Sequence, residues 1–207
     1  RILPLVKHMA AVEIDPKLIE YLHGRIDLQE CQFIHKDVLS QELHELSIPT
    51  PVKVIGNIPY NITSPILFWL IEQRANWTDA FFMVQKEMAD RLTGSVGTKA
   101  YGRLTVMVGA FLHVETCFII PPDVFIPKPN VKSAIIKLTK RQDPIIVDKH
   151  FKRFEKIVAA AFSQRRKMLR NTLAGFGFSD EIKGKIGFTR RPETLSIDEF
   201  AELSKAQ

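Results

Sequence analysis

Between Met9 and Leu92, short apolar runs rich in β-branched residues alternate with stretches of helical periodicity, which leaves few folds open. Met9-Ala10-Ala11-Val12-Glu13-Ile14 reads as a strand ending in acid. Asp15-Pro16 then offers an N-cap followed by proline at the first helical position. A helix through Leu18, Ile19 and Leu22 follows, with Gly24 as its stop. Gln32–Lys36 is expected as a second strand and Val52–Ile55 as a third. Pro65–Ile71 reads as a helix, Ala80–Val84 as a strand and Gln85–Leu92 as the helix after it. Such alternation builds βαβ units, hence an α/β fold with a parallel sheet and helices on both faces.

After Gly102 the texture changes. Arg103–Leu112 is expected as a helix, and His113–Ile120 and Ser133–Leu138 as strands. The connection between them, Pro121-Pro122-Asp123-Val124-Phe125-Ile126-Pro127-Lys128-Pro129, is short and stiff. It suits an antiparallel pair at one edge of the sheet. Lys140–Lys149 is polar, contains Pro144 and makes the best domain boundary. Everything beyond it reads helical, beginning with a long segment from about His150 to Ala174. Ser196-Ile197-Asp198-Glu199 is a capping box that opens a last helix through Phe200, Ala201 and Leu203.

Charge separates these two parts. Residues 1–139 carry 14 basic and 14 acidic side chains, whereas residues 140–207 carry 15 and 9, which is the whole net charge of +6. A neutral body with a basic final third points to an acidic polymer as partner; the bland alternative is a lysine-rich surface that serves solubility. No apolar run approaches the roughly 18 residues that span a bilayer, and the opening residues lack the pattern of a signal peptide. Cys31 and Cys117 have no metal-like spacing. A cytoplasmic protein without disulfide or metal is expected.

In open α/β sheets ligands bind beyond the carboxyl ends of the strands, and three polar signals fall there. Glu13 can accept hydrogen bonds from two ribose hydroxyls. Asp37 can accept from an adenine amine. Asn57-Ile58-Pro59-Tyr60 follows the third strand. A single acid at a strand end is as often a helix cap, and Asp15 is a better cap than Glu13. Three signals in consecutive units make a stronger case.

The Asn57–Tyr60 segment has its own chemistry. An exocyclic adenine amine is a poor nucleophile because its lone pair is delocalised into the ring. Accepting both amine hydrogens pulls the nitrogen toward tetrahedral geometry and frees that pair for attack on a methyl sulfonium. The Asn57 side-chain oxygen and a backbone carbonyl at Ile58 or Pro59 can do this without a charged base. Pro59 fixes the carbonyl, and Tyr60 offers a flat face for the base. Rate then comes from positioning and electrostatics. A plain turn between strand and helix is the competing reading of these four residues taken alone.

Gly56-Asn57-Ile58-Pro59-Tyr60-Asn61-Ile62-Thr63-Ser64-Pro65 resembles the catalytic motif of the rRNA adenine N6 dimethyltransferases. Gln85-Lys86-Glu87 with Ala100-Tyr101-Gly102-Arg103-Leu104 is similar to their next block, and Phe125–Ala134 to their proline-rich loop. Phe162-Ser163-Gln164-Arg165-Arg166-Lys167-Met168-Leu169-Arg170-Asn171 resembles the start of their C-terminal helical domain. The combination is most similar to the KsgA-type housekeeping enzymes. The resemblance implies a Rossmann-like class I methyltransferase sheet with a small all-helical C-terminal domain. It implies S-adenosylmethionine as methyl donor, no metal, and dimethylation of two adjacent adenines near the 3′ end of small-subunit rRNA. A monomer acting on a ribosomal subunit precursor is expected.

By the same resemblance Glu13 with Ile14 binds the cofactor ribose, and Asp37 with Val38 its adenine. Asn57 lies between cofactor and target amine, Tyr60 stacks on the target base, and Phe125 supplies the opposite face. For Phe125 a core aromatic under a rigid loop is the alternative. Two aromatic faces suit a base flipped out of its stack. Arg165, Arg166, Lys167 and Arg170 are implied RNA contacts, with a solvated helix face as the alternative. Arg165 falls within the apolar stripe of Phe154, Ile157, Val158, Ala161, Phe162, Met168 and Leu169, so either the helix breaks near Ser163 or Arg165 is buried against a carboxylate.

One departure is large. The family opens with a strand and a Gly-rich loop that wraps the methionine part of the cofactor, upstream of the acidic strand end. Only twelve residues precede Glu13 here, none of them glycine. That first strand and loop are expected to lie outside this sequence, and the chain as it stands is expected to bind cofactor weakly or not at all. Two other functions stay open on sequence alone. One is the same chemistry on another substrate, as in the erythromycin-resistance (Erm) enzymes of large-subunit rRNA or a DNA adenine methyltransferase. The other is a non-catalytic RNA-binding assembly factor of this fold.

Overall fold

A computed structural model describes residues 2–206 and places the first βαβ unit where the pattern puts it. β1 (Met9–Glu13) runs into α1 (Pro16–His23). The Asp15 carboxylate caps α1 by accepting from the Lys17 N–H at 2.8 Å, and Gly24 is its C-cap. β2 (Cys31–His35) pairs with β1 in parallel, in a register running from Met9 opposite Cys31 to Glu13 opposite His35. The His23 ring stands edge-on to Phe33, 5.2 Å between centroids, which holds α1 against β2.

The chain forms two compact units. The first takes the residues through Ile55 together with Asn61–Ala80; the second takes Gly56–Tyr60 and everything from Phe81. In the first, α2 (Thr63–Glu72) is apolar nearly all round, and Ile66, Leu67, Trp69, Leu70 and Ile71 are buried accordingly. Its buried indole N–H is not orphaned: Trp69 Nε1 donates to the Gln41 carbonyl at 2.9 Å, as does Gln73 Nε2. Trp77 Nε1 donates to the Leu70 carbonyl at 2.8 Å.

β3 (Val52–Asn57) and β4 (Trp77–Gln85) each begin in the first unit and end in the second. α3 (Lys86–Leu92) and α4 (Arg103–Gly109) follow, then β5 (Leu112–Ile120) and β6 (Ser133–Lys140). The sheet order is β3-β4-β6-β5, with β5 and β6 antiparallel and β5 at the edge, as the proline-rich connection implies. A bulge at Cys117 interrupts β5, a device that blunts an exposed edge. β1 and β2 form a two-stranded sheet of their own. The alternating pattern fixes parallel pairing inside a βαβ unit but not which units share a sheet.

One helix ends earlier than its sequence pattern suggests, and another breaks at Ser163, one of the two outcomes left open by Arg165 in the apolar stripe. α4 stops at Gly109 rather than running to Leu112, because its last carbonyls are taken from outside the helix. Arg141 Nε donates to the Gly109 carbonyl at 2.7 Å, and the Arg141 and Ile145 N–H groups donate to Phe111 and Ala110. The segment expected from His150 to Ala174 is two helices, α5 (Asp148–Ser163) and α6 (Leu169–Thr172). The break at Ser163 takes Arg165 off the apolar stripe, where a continuous helix would have buried it. Phe154, Ile157, Val158, Ala161 and Leu169 are buried as expected, but Met168 lies outside the helix and is 36% exposed.

α7 (Asp180–Ile186) and α8 (Ile197–Lys205) complete the chain. Both halves of the Ser196–Glu199 capping box form: Ser196 Oγ accepts from the Glu199 N–H at 3.1 Å, and Glu199 Oε2 from the Ser196 N–H at 2.7 Å. α8 buries Phe200, Ala201 and Leu203, and Phe200 meets Phe162 of α5 at 5.7 Å. Among the described residues no helix is long and apolar enough to cross a membrane.

Candidate active site

In the first unit Glu13 and Asp37 come from the carboxyl ends of adjacent parallel strands. The Lys36 N–H donates to the Glu13 carbonyl at 3.0 Å, which ties those two ends together. The His35 Nε2 lies 3.1 Å from the Ile14 carbonyl. Glu13 turns one oxygen inward: Oε1 accepts from the Ile14 and Asp15 N–H groups at 2.8 and 2.9 Å. Asp37 does the same, its Oδ1 accepting from the Leu39 N–H at 2.9 Å at the head of a 3-10 turn over Val38–Ser40. Each carboxylate is thus fixed through one oxygen, and among the described residues nothing donates to the other. Asp37 caps the 3-10 turn, whereas α1 is capped by Asp15 and not by Glu13, whose inward oxygen holds the strand-to-helix turn.

This pair of acceptors fits an adenosine. Vicinal ribose hydroxyls are donors that a free carboxylate oxygen accepts, and an adenine amine needs an acceptor such as Asp37 Oδ2. Ile14 and Val38 follow directly and flank these acceptors, with Ile14 largely exposed.

In the second unit Gly56 and Asn57 end β3. Gly56 is closely packed: a Cβ there would sit 3.0 Å from Cδ1 of Phe82, a ring only 1% exposed, which would have to give way by a few tenths of an ångström. Ile58 is buried and anchors the segment, which leaves Asn57 and Pro59 exposed on either side of it. Among the described residues no protein group hydrogen-bonds the Asn57 amide. Tyr60 is half-buried, and its hydroxyl lies 2.9 Å from Ser133 Oγ. Ser133 carries no role in the sequence reading, though it stands within the motif quoted from Phe125 to Ala134. Only its 73-residue separation from Tyr60, closed by the fold, reveals the contact.

Phe125 is half-buried at the end of a 3-10 turn over Pro122–Val124, its N–H donating to the Pro122 carbonyl at 3.2 Å. Beside it Ile126 is fully exposed, and Lys128 pairs with Asp123. Of the basic block, Arg166, Lys167 and Arg170 are exposed. Arg165 has protein partners: its two terminal nitrogens donate to the Lys99 and Thr98 carbonyls at 2.8 and 2.9 Å. Those carbonyls, and not a carboxylate, take the guanidinium. Among the described residues no group of three or more His, Cys, Asp or Glu is arranged to hold a metal ion.

Comparison with known proteins identifies the family. A family model described as ribosomal RNA adenine dimethylase matches residues 1–206. The ribosomal RNA small subunit methyltransferase A of Xylella fastidiosa (strain 9a5c) is 42% identical over 99% of this chain and 80% of its own length. Its counterpart in Enterococcus faecalis is 40% identical over 96% of this chain and 72% of its own length. Among solved structures, a dimethyladenosine transferase from Plasmodium falciparum superposes with a TM-score of 0.80 at 24% identity, covering 98% of this chain and 82% of that one. That likeness concerns the fold. The 23S rRNA methyltransferase ErmE superposes at 0.72 with 25% identity, over 97% of this chain and 82% of its own.

Proposed function

Because the chain belongs to the ribosomal RNA adenine dimethylase family, we propose that it dimethylates the N6 amines of two adjacent adenosines in a hairpin near the 3′ end of 16S rRNA, during ribosome biogenesis. It is an S-adenosylmethionine-dependent rRNA adenine dimethyltransferase, and the small subunit is named for the relatives at 42% and 40% identity. One observation carries the residue assignments: an exposed Asn57 amide with no protein partner, next to a Tyr60 ring held at its hydroxyl.

The bound cofactor supplies an electrophilic methyl on a sulfonium. Glu13 Oε2 accepts from the ribose hydroxyls and Asp37 Oδ2 from the adenine amine, with Ile14 and Val38 alongside. In the first transfer Asn57 Oδ1 and the carbonyl of Ile58 or Pro59 accept the two N6 hydrogens of the target; in the second, the methylated amine keeps one hydrogen, which one of these two acceptors holds. Drawn out of conjugation, the amine lone pair would form the new N–C bond as the sulfonium–methyl bond breaks, and the proton hydrogen-bonded to Asn57 Oδ1 would pass to water. Tyr60 stacks on the flipped base, and Phe125 covers its other face. Residues 1–139 do the chemistry. Residues 140–207 hold the rRNA, with Arg166, Lys167 and Arg170 on its phosphates and Arg165 shaping the turn that presents them. The protein works as a monomer in the cytoplasm.

The test uses the protein expressed from its complete gene, with small subunits, large subunits and duplex DNA methylated in parallel. Dimethyladenosine in small-subunit rRNA alone is expected, and Asn57→Ala should abolish it while leaving RNA affinity unchanged. Preferential methylation of large subunits would assign the Erm-type activity instead.

A further inference from the structure

We propose that Ser133 is a positioning residue for the target base, acting through Tyr60. Its hydroxyl fixes the far end of the Tyr60 ring and so sets the plane on which the adenine stacks. The inference rests on the stacking role proposed for Tyr60 and adds the group that makes that role geometrically definite.

A tyrosine held only at its Cα pivots about χ1 and χ2, and a pivoting ring is a poor stacking platform. Here the near end is held by the buried Ile58 and by a 3-10 turn over Tyr60–Ile62. The far end meets Ser133 Oγ at 2.9 Å. Ser133 is itself an immobile reference point. It is 0% exposed, pairs with Ile120 across the β5–β6 ladder, and follows Lys132, whose carbonyl accepts from the Lys86 N–H at 2.9 Å.

Its place in the chain adds a second consequence. Residues 121–132 connect Ile120 to Ser133 and carry Phe125. The junction that closes this loop is therefore also the one that anchors Tyr60. The loop that carries Phe125 and the hydroxyl of Tyr60 thus meet the same strand end at Ser133.

A double-mutant cycle tests this, because Tyr60→Phe and Ser133→Ala remove the same hydrogen bond from opposite ends. Each is expected to lower kcat about 3- to 10-fold with KM nearly unchanged, as one neutral hydrogen bond permits. The double variant should be no slower than either single one. A second readout is the fluorescence of 2-aminopurine placed at the target position of an RNA hairpin. Wild-type protein should quench it by stacking, and both single variants should quench it less. Ser133→Cys, which keeps a weak donor at the same place, should recover part of the loss. Additive rate effects, or Ser133→Ala with wild-type kcat and quenching, would overturn the role of Ser133. Should Ser133→Ala fold poorly, Tyr60→Phe still interrogates the same bond. Tyr60→Ala separates the two proposals: full activity there removes the stacking role itself, whereas its loss beside a neutral Ser133→Ala removes only the positioning role.

Discussion

Arg190 and Glu199 form a two-pronged ion pair that fastens the segment after α7 to the first turn of α8, with Nη1 on Oε1 and Nη2 3.1 Å from Oε2. The same guanidinium donates to the Ile186 and Thr194 carbonyls. Arg190 is thus absorbed by structure, although it lies in the basic final third. Its neighbour Arg191 is exposed.

This pair gives the C-terminal helices a pH dependence. The hydrogen bond from Arg190 comes first among the causes that hold the Glu199 carboxyl below its ordinary value of 4.5, with the Ser196 N–H assisting against desolvation. A carboxyl whose folded pKa is depressed contributes stability that is complete above the unfolded value and lost as pH falls through the folded one. Thermal melts should therefore show stability declining from about pH 5 downward. Glu199→Gln keeps a capping-box residue but removes the charge. It should cost about 0.5–1.5 kcal/mol at neutral pH, modest because the pair is partly exposed, and should flatten the acid limb of the Tm profile. An unchanged acid limb would show that Glu199 does not govern it.

The basic block should divide by salt dependence. Arg166 and Arg170 are exposed, so reversing each to Glu should weaken RNA binding and flatten the slope of log K against log salt by about 0.7–0.9 for each phosphate left without its cation. Arg165 donates to the Thr98 and Lys99 carbonyls, so Arg165→Ala should instead loosen residues 94–101, seen as faster amide exchange there. Its salt slope should stay near that of the unaltered protein. Equal slope changes at all three positions would put Arg165 on the RNA as well.

What could be read from the sequence, and what could not, follows the range of the interactions. α1 is legible at both ends because its signals are local: Asp15 caps two residues on, Pro16 starts the helix and Gly24 ends it. The capping box of α8 is equally local. The length of α4 is not legible, because a distant group decides where that helix stops, whereas the end of α5 at Ser163 is one of the two outcomes the apolar stripe leaves open. Arg141, 32 residues beyond Gly109, takes the last carbonyl of α4. The Arg165 side chain, just past the end of α5, reaches carbonyls 66 and 67 residues back. Arg165 does mark the sequence, because it interrupts the apolar stripe and so signals a break near Ser163, but its partners at Thr98 and Lys99 leave no such mark. The site divides the same way. Glu13, Asp37 and Asn57 are visible as polar residues at strand ends, whereas Ser133 becomes visible only when the fold brings it to Tyr60.

Glu13 allows the sharpest separation of structure from ligand binding. Its Oε1 satisfies the Ile14 and Asp15 N–H groups, and the role proposed for Oε2 is to accept from ribose hydroxyls. Glu13→Gln keeps one oxygen for the backbone but replaces the other with an amide nitrogen that donates and cannot accept. The fold around β1 should therefore survive, with thermal stability within about 0.5 kcal/mol of the parent. S-adenosylmethionine binding, followed by calorimetry on protein expressed from its complete gene, should weaken by about 10- to 100-fold, the range for a charge-assisted hydrogen bond. A cofactor analogue without the ribose 2′- and 3′-hydroxyls provides the control. Lacking the donors that Oε2 would accept, it should bind the parent and Glu13→Gln proteins alike. If the variant loses as much affinity for that analogue as for the cofactor, Glu13 acts by shaping β1 and not by holding the ribose.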